Sequence, residues 1–243
     1  MKNKCEIMKA IVLNSGMGTR LGDLTANNPK SLVHLNEDET ICSRAISILS
    51  QFDIDEFIIT TGYLDNVLKD YLYENFPNLN FRFVHNPVYD TTNYIKSIDL
   101  IDELDDDILL LHGDLVFTKE TANKVFNCDK SSVVIDTQIE IPKDDFKAKV
   151  VDSQVKYIGV DYFEGDAVAC QAFYKLFKED WKVWKDRINE FCNDGNLNVY
   201  AENALNELFN EGFPIHALDL KGELCMEVDT KEDLANVREI LGY

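Results

Sequence analysis

The sequence predicts an α/β fold in which a mostly parallel central sheet is flanked by helices and carries a small antiparallel addition. Short apolar runs of strand length alternate with segments of helical spacing in the first half of the chain, a pattern typical of βαβ units. A later stretch, from about residue 146 to residue 160, reads as short alternating strands and predicts the antiparallel part. Because the sequence has no internal repeat and no low-complexity linker, we expect one domain over residues 1–243.

Six apolar segments are the predicted strands: AIVL, EFIITT, FRFVH, DILLLH, SVVID and DAVACQAFY. Between the early strands, apolar residues recur at helical spacing from Ile41 to Leu49 and again from Leu64 to Leu72. Further helices are predicted in EDWKVWKDRINEFC and AENALNELF, with a strand PIHALDL after them. The last helix begins after Thr230, where Thr230 and Asp233 resemble a capping box. In open parallel sheets the loops at the carboxyl ends of the strands converge, so we expect a cleft there.

Composition excludes several classes of protein. The chain has 24 Lys and Arg against 44 Asp and Glu, a formal net charge of −20, whereas a nucleic-acid-binding surface needs clustered basic residues. No segment approaches the roughly 18 apolar residues of a membrane span, and the apolar run near the N-terminus is too short for a signal peptide. The six cysteines lie far apart without a C-x-x-C pair, which indicates reduced thiols and a cytoplasmic protein.

The segment AIVLNSGMGTRLGDLTANNPKSL follows its first strand with a glycine-rich loop. It is not a dinucleotide fingerprint, because Leu21 stands where the third glycine is needed, and it lacks the Gly-Lys-Ser/Thr of a Walker A loop. A plain tight turn at Gly16 and Gly18 is the alternative. Arg20 and Lys30 favour a phosphate site, because a guanidinium fork and a compact ammonium can bind different phosphates of one chain.

Two acidic segments offer ligands for a divalent cation. Asp114 follows Gly113 at the end of the strand DILLLH, where ligands of such sheets bind. Glu227 and Asp229 are two residues apart on an extended segment, so their side chains point to the same side. Mg²⁺ is usually bound by one or two carboxylates together with substrate phosphates. The alternatives are a turn residue for Asp114 and a charge at a helix N-terminus for Asp229.

The ordered combination of a strand, G-x-G-T-R-L and then P-K resembles the signature of the nucleotidyltransferases that activate sugars and small phosphorylated alcohols. The resemblance implies a Rossmann-like nucleotidyltransferase fold, with a nucleotide-binding half over about residues 1–120 and an acceptor-binding, metal-completing half over about residues 121–243. It also implies that Arg20 and Lys30 are catalytic and that Mg²⁺ is the cofactor. The chain departs from the family in having Asn-Ser-Gly where many members have Ala-Ala-Gly.

Two further segments, NPVYDTTNYIKSIDL and VYAENALNEL, are similar to segments of bacterial phosphocholine cytidylyltransferases. This resemblance implies transfer of CMP from CTP to a small phosphorylated or phosphonate acceptor, with release of pyrophosphate, for decoration of a cell-surface glycan. A uridylyl- or thymidylyltransferase that acts on a sugar 1-phosphate is an alternative. A glycosyltransferase would carry Asp-x-Asp where this chain has Gly-Asp-Leu, and a non-catalytic nucleotide sensor could lack Lys30 or a metal carboxylate. The expected partners are these small molecules, with a homodimer left open.

The candidate site residues fall into three groups. The predicted nucleotide-binding residues are Leu13, Asn14, Ser15, Gly16, Met17, Gly18, Thr19, Asn86, Asn93 and Asp114. The metal ligands implied by the resemblance are Asp114, Glu227 and Asp229. The candidate acceptor-binding residues are Asp161, Tyr162, Tyr200 and Glu202. A second set of aromatics could form a cage for a quaternary ammonium or fill the core, and we favour the core; they are Tyr157, Tyr162, Phe163, Phe173 and Tyr174.

Overall fold

The computed structural model describes residues 8–243. Its strands are β1 (Met8–Asn14), β2 (Ile54–Thr61), β3 (Phe81–His85), β4 (Asp107–His112), β5 (Leu115–Phe117), β6 (Ser132–Asp136), β7 (Lys147–Val151), β8 (Gln154–Gly159), β9 (Ala167–Leu176), β10 (His216–Asp219) and β11 (Cys225–Glu227). Its α-helices are α1 (Ile41–Leu49), α2 (Asp65–Asn75), α3 (Tyr94–Asp99), α4 (Lys119–Phe126), α5 (Lys178–Asn193), α6 (Ala201–Asn210) and α7 (Lys231–Leu241). Two 3₁₀ segments cover Thr19–Leu24 and Lys30–Leu32.

The sheet confirms the predicted α/β class. Nine strands lie in the order β3-β2-β1-β4-β9-β6-β10-β8-β7, and β3, β2, β1 and β4 are parallel. The antiparallel β7–β8 pair forms where alternation predicted it. The sequence did not indicate that β9 runs antiparallel to both β4 and β6 in the middle of the sheet. Its continuous apolar run is explained by burial on both faces, which does not specify strand direction.

Two apolar cores cover the two faces of the sheet. Alternate residues of β1 divide between them: Ile11 and Leu13 pack with α3, α5 and α6, whereas Ala10 and Val12 pack with α1, α2 and α4. Of the five aromatics predicted to fill the core, Phe173 and Tyr174 on β9 are fully buried, whereas Tyr157 and Tyr162 are half-buried and Phe163 is exposed, so the core prediction is wrong for Phe163. Among the described residues, no helix combines the length and apolar character needed to cross a membrane.

The predicted helices form, and the helix ends follow local capping chemistry. Thr230 accepts a hydrogen bond from the Asp233 N–H and Asp233 reciprocates, which confirms the predicted capping box of α7. Helices α3 and α4 were not predicted, because each has only six to eight residues and too few turns to show a period.

A small two-stranded sheet brings the C-terminal part of the chain to the end of β4. Strand β5 follows Asp114 directly and pairs antiparallel with β11, so that Leu115 lies opposite Glu227. The Val228 N–H also donates to the Asp114 carbonyl over 3.1 Å. Carboxylates more than 110 residues apart in sequence therefore meet at one edge of the main sheet.

Candidate active site

A cleft of about 400 Å³ lies at the carboxyl ends of the central strands. The loops after β1, β3 and β4 line it, as expected for an open parallel sheet. The loop after β2 was also expected there, but of the described residues none between Gly62 and Asn75 lines the cleft. Gly62 instead supports the site from behind, since a Cβ at this position would lie 2.5 Å from the Ser15 carbonyl oxygen and 2.6 Å from the Tyr89 side chain.

The glycine loop is shaped to let a lysine approach. Gly18 has φ 62° and ψ 33°, a left-handed conformation that favours glycine. A Cβ at Gly18 would lie only 2.7 Å from the Cβ of Lys30, so the missing side chain makes room for the lysine stem. The Thr25 hydroxyl donates to the Gly18 carbonyl over 2.9 Å and fixes the turn. Met17, one of the predicted nucleotide-binding residues, is exposed and does not line the cleft.

Arg20 and Lys30 meet the predicted metal carboxylates in the cleft. The Lys30 ammonium donates to Asp114 Oδ2 over 2.5 Å and also to Asp229 Oδ1, and Arg20 Nη2 donates to Asp229 Oδ2 over 2.6 Å. Burial alone would lower the pKa of Lys30, but the two carboxylates hold it above its usual value. Burial raises the pKa of Asp114, and Lys30 with His112 outweighs this and lowers it. The four groups form one charge cluster, of which only the arginine is largely exposed.

Glu227 pairs with a histidine that the sequence did not single out. His112, the last residue of β4, places Nδ1 3.2 Å from Glu227 Oε1. Burial alone would lower the pKa of His112, but the hydrogen bond to Glu227 and the neighbouring carboxylates raise it to about 9. The pKa of Glu227 is nevertheless raised, because burial and the Asp114 charge outweigh the histidine. The sequence feature that could have pointed to His112 is its position, because it immediately precedes the Gly-Asp pair.

The carboxylates fit a divalent cation. Ligand atoms of His112, Asp114 and Glu227 lie within 4.8 Å of one another, and so do those of Asp145, Glu227 and Asp229. Asp114 Oδ1 is buried and has no hydrogen-bond partner, which is costly for a carboxylate oxygen without a cation beside it. Burial and the same carboxylates raise the pKa of Asp145 to about 7. Oxygen ligands of this number are the set that Mg²⁺ takes, with phosphate and water completing its shell.

A layer of hydroxyl and amide groups supports the glycine loop. Ser97 donates to Ser15 over 2.9 Å, Ser15 donates to Thr60 over 3.1 Å, and Asn86 Nδ2 donates to Ser97 over 3.1 Å. Asn86 lines the cleft but is 1% exposed, and its side chain is occupied by these and neighbouring bonds. Asn93 also lines the cleft, and its side chain accepts from the first N–H of α3.

Only one of the four candidate acceptor residues lines the cleft, and this is Tyr200. Glu202 is 1% exposed, and its two carboxylate oxygens accept from the hydroxyls of Tyr94 and Tyr174, so it holds Tyr94 in place from behind. Asp161 and Tyr162 lie outside the lining, and Tyr162 bonds to Asp166. Around Tyr200 the cleft wall consists of aromatic rings in mutual contact and a pair of acidic residues. The rings are Tyr94, His112, Phe146 and Tyr200, and the acidic residues are Asp144 and Asp145.

A mixed sheet that gathers a glycine loop, two fixed cations and several carboxylates at its carboxyl edge defines an enzyme that handles phosphate groups. The chain belongs to the nucleotidyl transferase family, whose sequence model matches residues 9–148. The predicted family and enzyme class are thereby confirmed.

Relatives resemble the chain over nearly its full length. A choline-phosphate cytidylyltransferase of Streptococcus pneumoniae is 28% identical, with 96% of this chain and 98% of that protein covered. A CTP:phosphoglutamine cytidylyltransferase of Campylobacter jejuni is 26% identical, with 93% and 98% covered. The solved structure of a CTP:phosphocholine cytidylyltransferase from Streptococcus pneumoniae superposes with a TM-score of 0.77 at 24% identity, covering 97% of this chain and 99% of that one, and confirms the fold.

Proposed function

We propose that the protein transfers CMP from CTP to a small phosphorylated or phosphonate acceptor and releases pyrophosphate. The observation that carries the proposal is the cluster of Lys30 and Arg20 with Asp114 and Asp229, in which two cations and two acidic groups lie together in one cleft, as a nucleotidyl transfer requires. CTP is favoured over other nucleotides because two relatives that align with this chain along nearly their own full length carry names of cytidylyltransferases.

The reaction needs positioning and positive charge more than proton transfer. A phosphate monoester has a second pKa of about 6, so at neutral pH its oxygen is already an anionic nucleophile. This oxygen attacks the α-phosphorus, a new P–O bond forms, and the bond to the departing pyrophosphate breaks. Lys30 lies near the α-phosphate and the incoming oxygen, and Arg20 binds the β- and γ-phosphates of the leaving group. Both cations reduce the repulsion between two anions.

The two halves of the chain have different tasks in this proposal. Residues 1–120 bind the nucleotide through the backbone N–H groups of Ser15 to Thr19, and residues 121–243 bind the acceptor and complete the metal site. Asp114, Glu227 and Asp229 would hold Mg²⁺, which when bound neutralises phosphate charge and orients the triphosphate. Tyr200, at the end of the cleft where the aromatic rings gather, is the acceptor contact that the geometry favours.

Pyrophosphate release tests the proposal directly. The protein with Mg²⁺ is mixed with CTP, UTP, dTTP or GTP and with phosphocholine, phosphoethanolamine, phosphoglutamine or glucose 1-phosphate. We expect release with CTP and one of the amine-bearing acceptors, and loss of the rate by orders of magnitude in Lys30→Ala. Release only with UTP or dTTP and glucose 1-phosphate would replace the proposal by a sugar nucleotidyltransferase. Turnover of Lys30→Ala near that of the wild type would remove Lys30 from the site.

A further inference from the structure

The side chain of Asn14 is a polar group without a partner in the cleft wall. Asn14 ends β1, is 9% exposed and lines the cleft. Its backbone N–H is used, since it donates to Thr60 over 3.1 Å. Among the described residues, however, its side-chain amide makes no hydrogen bond, and Nδ2 is fully covered. A buried donor without a partner destabilises the fold, so the position is unfavourable unless a ligand uses it.

Gly113 fixes where this amide lies. A Cβ at Gly113 would be 2.0 Å from Asn14 Oδ1 and 2.5 Å from Asn14 Cγ, so the carboxamide packs directly on the glycine α-carbon. The Gly113 N–H donates to the Leu13 carbonyl over 3.0 Å, which holds the two strand ends together. The Asn14 side-chain amide therefore lies on the β4 side of β1, against Gly113, which immediately precedes Asp114. It does not lie on the β2 side of the cleft.

Other unpaired polar atoms lie in the same cleft. Ser31 Oγ and His112 Nε2 are buried without partners, and both residues line the cleft together with Asn14. All three can donate a hydrogen bond, and Ser31 directly follows Lys30. The unpaired acceptor of the cleft, Asp114 Oδ1, is assigned to the metal, and the three donors beside a lysine fit an anionic ligand, because phosphate oxygens only accept. A half turn about the last side-chain torsion of Asn14 exchanges its N–H and oxygen ends, and no existing bond opposes that turn.

We propose that Asn14 is a catalytic residue that donates its side-chain N–H to a non-bridging oxygen of the α-phosphate during the transfer. The inference rests on the proposed function and deepens it, since the sequence predicted Asn14 as a nucleotide-binding residue without giving its side chain a role. A donor fixed beside the reacting phosphorus stabilises the charge that shifts onto its oxygens in the transition state. The effect therefore falls on turnover more than on nucleotide affinity.

Two substitutions at Asn14 separate donation from other roles. Asn14→Ala removes the donor, and we expect kcat to fall by about 100-fold while the Kd for CTP changes less than about threefold. Asn14→Asp keeps the shape but places a carboxylate against the phosphate, and we expect a still lower kcat at saturating Mg²⁺. Asn210→Asp is the matched control, because it makes the same charge change at an exposed residue at the end of α6 and should leave kinetics unchanged.

Each contrary outcome has its own meaning. Asn14→Asp with wild-type turnover and tighter Mn²⁺ binding would show that this position supplies a metal ligand, and would overturn the donor role. Asn14→Ala with a lower melting temperature but intact kcat would reduce Asn14 to a packing group against Gly113. A wild-type protein without pyrophosphate release from any nucleotide would overturn the proposed function, whereas normal wild-type turnover with unaffected variants would overturn only the inference about Asn14.

Discussion

Lys30 competes with the metal for its ligands. Its ammonium donates to both Asp114 and Asp229, two of the three carboxylates proposed to hold Mg²⁺. A divalent cation that binds these oxygens must displace the ammonium. Replacing Lys30 by Gln removes the competitor, leaves Asp114 without its ammonium partner and leaves Asp229 paired with Arg20 alone.

The two hydrogen bonds that Lys30 donates set the size of the expected gain in metal affinity. Each charge-assisted hydrogen bond contributes about 1.5–3 kcal/mol, so two of them at the lower value make roughly 3 kcal/mol of competition. At 1.4 kcal/mol per factor of ten, Lys30→Gln is expected to bind a divalent cation about 100-fold more tightly in nucleotide-free protein. The same variant loses about 3–5 kcal/mol of stability without metal, because the partly buried Asp114 carboxylate loses the ammonium that pairs with it. Added Mg²⁺ should therefore raise its melting temperature far more than that of the wild type.

Mn²⁺ binding measured by electron paramagnetic resonance without nucleotide provides the test. Arg20→Gln is the control, since Arg20 is 59% exposed and, within residues 8–243, pairs with Asp229 alone, and a pair of this kind contributes at most about 1 kcal/mol. We expect less than a fivefold gain in Mn²⁺ affinity for this control. Unchanged or weaker Mn²⁺ binding in Lys30→Gln would refute the competition and would place the metal away from Asp114 and Asp229.

Three other predictions concern pH and backbone shape. The pKa of His112 is raised to about 9, so its protonated form stabilises the native state by on the order of 3 kcal/mol. This contribution is complete below pH 6.5 and is lost as pH rises through 9. In urea unfolding, the free energy of unfolding of His112→Gln should lack this fall with pH. The pKa of Asp145 is raised to about 7, so ionisation destabilises the native state, and Asp145→Asn should gain roughly 1 kcal/mol that grows with pH up to about 7 and then levels off. A flat difference between pH 5 and pH 8 would contradict this. Gly18→Ala should lower both stability and kcat, because its Cβ strikes Lys30, whereas Gly242→Ala, left-handed but in open space, should lower stability alone.

The sequence predicted the parts of the molecule that depend on local patterns. Period and strand length located the parallel strands, and the ordered loop motif located Arg20 and Lys30 in one cleft with Asp114. The spacing of Glu227 and Asp229 correctly indicated a shared side, since both line the cleft. These features depend on a few neighbouring residues, so a single sequence contains them.

The acceptor end of the cleft depends on contacts between distant segments and could not be predicted in the same way. Glu202 reads as an accessible acidic residue in an amphipathic helix, and only the packing of α6 against the sheet shows that two tyrosines occupy its carboxylate. Asp145 and Phe146 belong to the loop before β7, which no motif marks, and they reach the cleft because β7 pairs with the antiparallel β9. The direction of β9 was itself not predictable from its apolar run.

The charge cluster also determines the order in which ligands can enter. Lys30 and Arg20 neutralise Asp114 and Asp229, so a ligand that binds either pair of charges must displace the other. A free triphosphate meets acidic groups, and a free metal meets bound ammonium and guanidinium groups. A metal–triphosphate complex satisfies both at once, because the carboxylates exchange the two side chains for the metal while the phosphates receive the released cations.

We therefore expect Mg²⁺ and CTP to bind with positive coupling, so that each raises the measured affinity of the other. Because Lys30→Gln already frees Asp114 and leaves Asp229 with Arg20 alone, the coupling should shrink in that variant. Undiminished coupling would show that the lysine pairs do not cause it.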